Sequence, residues 1–276
     1  MNLTIGFLGL GLIGGSIAKS IRKYHPDYTL IGYNHNYETT VLAKKEQILD
    51  YAAEEVDASF QNCDIIYLCM PVSLNEDYLI KIKPYLKPGC ILTDVGSVKG
   101  TIHRAVKNLS LEAYFIGGHP MAGSEKTGFS NSTDHLLENA YYIITPCEST
   151  SKDALDRLYT LTKSIKALPI ILDPKDHDYA VANISHLPHL IASGLVNLVK
   201  NSDSKNETMK TLAAGGFKDI TRIASSSPIM WQQTCLTNKE NIVKTMEDYI
   251  AYFSEVKNAV KQENKEYLYQ FFEQAR

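Results

Sequence analysis

What this 276-residue chain has little of narrows its role before any motif is read. Strong charge of either sign is missing. It carries 28 Lys and Arg against 31 Asp and Glu, a formal net charge of −3. So mild a balance provides no electrostatic footprint for nucleic acid or for an anionic membrane surface. No apolar run reaches the length that spans a bilayer. The apolar N-terminus lacks the basic flank of a signal peptide and is broken by glycines. Repeats and low-complexity tracts are absent. The five cysteines, Cys63, Cys69, Cys90, Cys147 and Cys235, are scattered and odd in number. Most sit in apolar strand patterns and read as buried free thiols in a reducing cytoplasm. No cysteine or carboxylate cluster has the form of a metal site, so no metal is expected.

What is present begins at once. An apolar strand over residues 3–8 runs into Gly9-x-Gly11-x-x-Gly14, and a helical pattern follows. In that context the triplet is a dinucleotide-binding turn. Gly9 permits the tight turn, Gly11 lets the backbone approach a pyrophosphate, and Gly14 lets the helix pack closely on the strand. The amides at the helix start then face the phosphate charge. Leu12 and Ile13 belong to the same turn and go with it to the cofactor. A second strand over 28–33 ends at Asn34. An NAD enzyme usually places Asp or Glu there, against the ribose 2′-hydroxyl. Asn34 can still hydrogen-bond a hydroxyl, and no Arg stands beside it to favour a 2′-phosphate. NAD is expected, with NADP left open.

Through residue 172 apolar strands alternate with helical stretches. Strands are expected at 63–69, 90–95, 113–117, 141–145 and 168–172, with helices near 38–46, 74–86 and 152–166. The alternation predicts an α/β fold with a mostly parallel, doubly wound sheet. Past Asp173-Pro174 no convincing strand follows. Helical periods run over 176–200, 209–224 and 238 to the end. In the last, Ile242, Met246, Tyr249, Phe253, Val256 and Val260 form one apolar seam. The expected domains are 1–172, binding the dinucleotide, and 173–276, helical and carrying a dimer interface.

In doubly wound sheets ligands sit beyond the carboxyl ends of the strands. Three motifs fall there: Met70-Pro71-Val72, Asp94-Val-Gly96-Ser97-Val-Lys99, and Gly117-Gly118-His119-Pro120-Met-Ala-Gly123-Ser124-Glu125-Lys126. Met70 and Pro71 are assigned to the cofactor side. His119, expected in a glycine-rich loop after a strand, suits a general base or an acceptor for a hydroxyl about to lose hydride. His186 and His189 share a helix face and point to substrate contact or helix packing. Arg222, near Lys218 and Asp219, suits a bidentate clamp on a carboxylate, against the alternative of a surface ion pair.

Together these motifs resemble the prephenate dehydrogenase family, which includes arogenate and cyclohexadienyl dehydrogenases. The likeness rests on the glycine turn, Asp94-x-Gly-Ser97-x-Lys99, Gly118-His119-Pro120-x-Ala-Gly123, Ser185-His-Leu-Pro-His189, and Gly216-Phe-Lys-Asp219-x-x-Arg222 with Pro228-x-x-Trp231. It implies an N-terminal Rossmann domain, an all-α dimerisation domain and an active site between them. The implied reaction is NAD-dependent oxidative decarboxylation of prephenate in tyrosine biosynthesis. His119 would accept the substrate hydroxyl hydrogen bond, and Ser97 would orient His119 and the nicotinamide. Arg222, His189 and Ser124 would face the substrate. Glu125 is the local candidate to meet an ammonium, which would favour arogenate. A non-catalytic NAD-binding scaffold is the remaining alternative. Asn34 departs from the acid common in NAD-specific members, and the length implies neither an ACT-type domain nor a fused chorismate mutase.

Overall fold

The structure is a computed structural model that describes residues 2–124, 126–203 and 205–276. The chain opens with β1 (Thr4–Leu8) and α1 (Leu12–Tyr24), then β2 (Thr29–Tyr33), α2 (Tyr37–Lys45) and β3 (Tyr51–Ala53). Next come β4 (Ile65–Leu68), α3 (Asn75–Ile82), β5 (Ile91–Asp94) and α4 (Gly100–Asn108). The five strands form a sheet in the order β3-β2-β1-β4-β5, and every pairing is parallel. The order reverses between β1 and β4. The carboxyl ends of these two strands therefore flank the crevice where such sheets bind ligands.

The sheet is buried on both faces, as parallel sheets with crossover helices are. Successive side chains of β1 point to opposite sides. Ile5 and Phe7 join one core with Ile17 and Ile21 of α1, where Phe7 stacks on Tyr67 with ring centroids 5.3 Å apart. Leu8 joins the other core with Leu68, Leu79 and Ile82. Local signals start the helices where the sequence places them. Asn36 caps α2 by accepting from the Glu38 amide.

A second sheet, β6 (Ile116–Pro120), β7 (Tyr141–Pro146) and β8 (Leu168–Ile171), has the order β6-β7-β8. Helix α5 (Lys152–Ser164) connects β7 to β8, and Ser151 caps it through the Ala154 amide. A parallel bridge from Leu92 to Phe115 carries the strand order from β5 on to β6. The β6–β7 pair is antiparallel, the exception in an otherwise parallel arrangement.

The helical remainder consists of α6 (Pro174–Val181), α7 (Leu187–Ser202), α8 (Thr208–Leu212), α9 (Gly215–Thr221), α10 (Pro228–Thr237), α11 (Lys239–Lys261) and α12 (Lys265–Ala275). It is more broken than the periodicity predicts. A π-helical turn, Ala182–His186, separates α6 from α7 just before Pro188, which cannot donate to the helical ladder. The final long helix ends at Lys261. Glu263 takes a left-handed φ of 53°, and Asn264 restarts the chain by accepting from the Tyr267 amide. The strand β3 and the helices α4 and α10 have no counterpart in the sequence reading. Proline at the first position of α10 favours its start.

Two compact units emerge, Met1–Asp178 with Ser225–Thr237, and Tyr179–Ala224 with Asn238–Arg276. The first keeps α6 as far as Asp178 because His177 and Asp178 hydrogen-bond to β6 and to the start of α4. It also takes α10, whose Gln233 amide donates to Ser73. In the second unit α11 packs on the π turn and on α7. Among the described residues no helix is long and apolar enough to cross a membrane.

Candidate active site

The turn after β1 has the shape the glycines require. Gly9 adopts φ +101°, and a Cβ there would lie 2.7 Å from the Met70 sulfur. A Cβ on Gly14 would run into the Gly9 carbonyl and come within 2.9 Å of Cys69 Cβ. A Cβ on Gly11, by contrast, would meet nothing within 4 Å. Gly11 thus borders open space while its neighbours are packed against the strands. Helix α1 starts there with no capping side chain and no acid in its first turn. Its first-turn amides have no intrahelical acceptor, which is what a pyrophosphate needs. The residues present therefore fit a dinucleotide. Leu12 and Ile13 are half-buried in this turn, Met70 is buried beside it and Pro71 is exposed.

Asn34 is buried at the end of β2. Its Oδ1 accepts from the Leu10 amide at 3.0 Å, and its Nδ2 donates to the Asn36 carbonyl at 3.2 Å. The amide ties β2 to the glycine turn, a task its two-sided hydrogen bonding suits.

At the end of β5, Asp94 and Lys99 are fully buried. Lys99 Nζ lies 2.5 Å from Asp94 Oδ2 and donates to the Gly118 carbonyl at 2.6 Å. Asp94 Oδ1 accepts from the Gly118 amide at 3.0 Å, and Oδ2 accepts from Gly96. Burial pulls the Lys99 ammonium below its ordinary range, and the Asp94 carboxylate offsets only part of that pull. This network fixes the residue immediately before His119. Ser97 is half-buried in the same β5–α4 loop.

His119 is half-buried and lies within β6, paired with Ile143 of β7, and not in the loop expected after a strand ending at Gly117, because the strand runs on to Pro120. Its Nδ1 lies 2.8 Å from Nε2 of His177, and Nδ1 of His177 lies 2.8 Å from Asp178 Oδ1. Asp178 accepts as well from the Lys99 and Gly100 amides, both at 2.7 Å. Burial alone would raise the Asp178 pKa. Hydrogen bonds from His177 and the two amides outweigh it and hold the carboxyl below its usual range.

Of the remaining expected residues, Ser124 is exposed, and its hydroxyl accepts from the Lys126 amide. Glu125 lies outside the described residues. In the second unit, His189 in the first turn of α7 donates from Nδ1 to the Ser185 carbonyl at 3.0 Å. Burial lowers its pKa, so the neutral ring with a basic Nε2 is favoured. His186 is buried, and its Nδ1 accepts from Asn238 at the start of α11 at 3.2 Å. It therefore serves helix packing. Arg222 is exposed at the end of α9.

Comparison with known proteins identifies this arrangement. A family model described as "Prephenate dehydrogenase, nucleotide-binding domain" matches residues 17–171, and one described as "Prephenate dehydrogenase, dimerization domain" matches 173–274. The chain belongs to the prephenate dehydrogenase family. It is 38% identical over 281 residues to prephenate dehydrogenase from Bacillus subtilis, an alignment spanning 100% of this chain and 75% of that protein. Prephenate dehydrogenase from Aquifex aeolicus, solved with hydroxyphenyl propionate and NAD+, matches with a TM-score of 0.93 at 32% identity, over 100% of this chain and 96% of that one. Synechocystis arogenate dehydrogenase matches at 0.89 and 31% identity, over 99% and 97%.

Within this site, His177 and Asp178 are the residues that sequence reasoning missed. The adjacent His-Asp pair just after Asp173-Pro174 was the available signal, but it sat inside a helical period and outside the motifs. The network at Lys99 predicts its own test. Removing one partner of a buried pair costs about 3–5 kcal/mol, because the other charge is left unpaired. Lys99→Met should lose that much in urea unfolding, and Lys99→Met combined with Asp94→Asn, which removes the charge but keeps an acceptor oxygen for the Gly118 amide, should recover part of it. A single variant as stable as the parent would show that the pair does not hold the site.

Proposed function

We propose that this chain catalyses the NAD-dependent oxidative decarboxylation of prephenate to 4-hydroxyphenylpyruvate in cytoplasmic tyrosine biosynthesis, with His119 at the chemical centre. The observation that carries the reading is the placement of a half-buried imidazole beside the carboxyl end of β5, on the sheet edge that bears the glycine turn. The relatives' names and the structure solved with NAD+ support the same reaction. The hydride acceptor is the nicotinamide that NAD supplies when bound. The protein supplies placement and charge.

Gly9, Gly11 and Gly14 shape the turn for the pyrophosphate, and the first amides of α1 meet its charge. Leu12, Ile13, Met70 and Pro71 complete that side, and Asn34 holds the turn against β2. His119 accepts the hydrogen bond of the substrate hydroxyl and stabilises the positive character that grows as its carbon becomes a carbonyl carbon. Ser97, in the loop anchored by Lys99, orients His119. Arg222 clamps a substrate carboxylate through its planar fork. His189 and Ser124 face the substrate. Loss of carbon dioxide makes the ring aromatic and the overall step irreversible.

The deciding assay follows NADH and NADPH formation with prephenate and with arogenate, side by side. Prephenate with NAD should be turned over fastest. Preference for arogenate would transfer the chain to the sister activity that the Synechocystis relative's name carries. His119→Asn should lower kcat by about 10²–10⁴-fold with NAD binding preserved, the range a positioned proton acceptor contributes. Near-parental turnover would remove His119 from the reaction. Arg222→Gln should act mainly on KM for prephenate, since a clamp present in ground and transition states alike contributes uniform binding. A kcat loss at unchanged KM would move Arg222 to the chemistry itself.

The second unit supports a homodimer. In the α11 seam Ile242 is buried, but Met246, Phe253 and Val260 remain 37%, 48% and 60% exposed in the single chain. Light scattering should therefore give twice the chain mass across a wide dilution range. Charged substitutions at Tyr249 and Phe253 should yield monomers or insoluble protein. An active monomer at every concentration would return the seam to the chain's own surface.

A further inference from the structure

Asp178 Oδ1 and Oδ2 accept only, and they are already met by the amides of Lys99 and Gly100. The contact at 2.8 Å between Asp178 Oδ1 and His177 Nδ1 therefore requires a proton on that nitrogen. With one proton on its ring, His177 offers a lone pair at Nε2. The next contact, also 2.8 Å, then requires His119 to donate from Nδ1. The remaining nitrogen of His119, Nε2, is left as an acceptor. We propose that His177 and Asp178 are positioning residues that hold neutral His119 in the Nδ1–H form, so that its Nε2 is the acceptor toward the substrate hydroxyl.

This rests on the assignment of His119 made above and adds what fixes its proton. A carboxylate alone would suffice to cap α4. The buried His177 ring, 1% exposed and crossed at 75° to His119, has no part in that cap. The same loop grips His119 twice. Lys99 Nζ and Asp94 hold the backbone at Gly118, while the Lys99 and Gly100 amides hold the carboxylate that orients the ring. The other charged or titratable groups around the chain include His103 and Arg104 on α4 and Asp173 ahead of α6, with Lys99 and Asp94 themselves. All are kept in the variants below.

Three measurements test the relay. Long-range proton–nitrogen correlation spectra of the folded protein, with isotope-labelled histidine, should show His119 as the Nδ1–H tautomer. In Asp178→Asn the new amide can donate to His177 Nδ1, which inverts both rings and leaves His119 protonated at Nε2. The spectra need no turnover, so failure of the wild type to oxidise prephenate would overturn the functional reading while the tautomer stands or falls by itself. In kinetics, His177→Phe should lower kcat about 10- to 100-fold with little change in KM for NAD, part of what a positioned acceptor contributes. Its imidazolium form loses an acceptor, so the acid limb of kcat/KM should move to lower pH. His177→Gln, whose amide oxygen can still accept from Nδ1, should restore part of kcat and return the limb. An Nε2–H tautomer in the wild type would overturn the proposal. So would a soluble His177→Phe with parental kcat and an unmoved acid limb.

Discussion

The buried contact between Lys99 and Asp94 is the constraint from which the site takes its form. An ammonium with no water around it is tolerable only if every proton finds an acceptor and the charge finds its opposite. Lys99 finds its opposite charge and two acceptors by reaching from the start of α4 to two neighbouring strands, to Asp94 at the end of β5 and to the Gly118 carbonyl in the middle of β6. One side chain thereby ties a helix start to two strands. The loop it closes contains Ser97 and presents the amides that Asp178 accepts. His119 inherits its position from this lock.

The nucleotide end of the molecule is governed by the opposite principle, groups left without an internal partner. Gly14 is packed against the turn, but Gly11 faces open space and α1 begins with neither a cap nor an acid. A helix start so bare is favourable only where an anion completes it. The carboxyl ends of the strands thus carry a buried, paired charge network at β5 and β6, and beside it an incomplete helix terminus at β1.

Much of this was legible in the chain. Strands β1, β2, β4 and β5 and the helices α1 to α3 follow from apolar runs punctuated by glycine and proline, and the three glycines occupy the environments their spacing implies. The antiparallel β6–β7 pair was not legible, since two buried strands carry no mark of relative direction. β3 is only three residues long and leaves no usable period. The seam from Ile242 to Val260 was visible as a pattern, but the helix break after Lys261 depends on a left-handed Glu263 and a cap from Asn264, both local choices that the apolar period cannot report. At the site, Lys99 and His119 announced themselves through motifs. His177 and Asp178 did not, because their importance lies in tertiary hydrogen bonds to residues 58 and 79 positions away.

The return of α10 to the first unit has an optical consequence. Trp231, the chain's sole indole, rides on that helix, while 17 tyrosines are spread along the sequence. Red-edge excitation therefore reports on a helix of the nucleotide-binding unit, without any labelling. Far-ultraviolet ellipticity, dominated by helices, reports on both units. Comparing the two signals during denaturation separates the unfolding of one unit from that of the other, a built-in spectroscopic distinction that two tryptophans in different units would have erased.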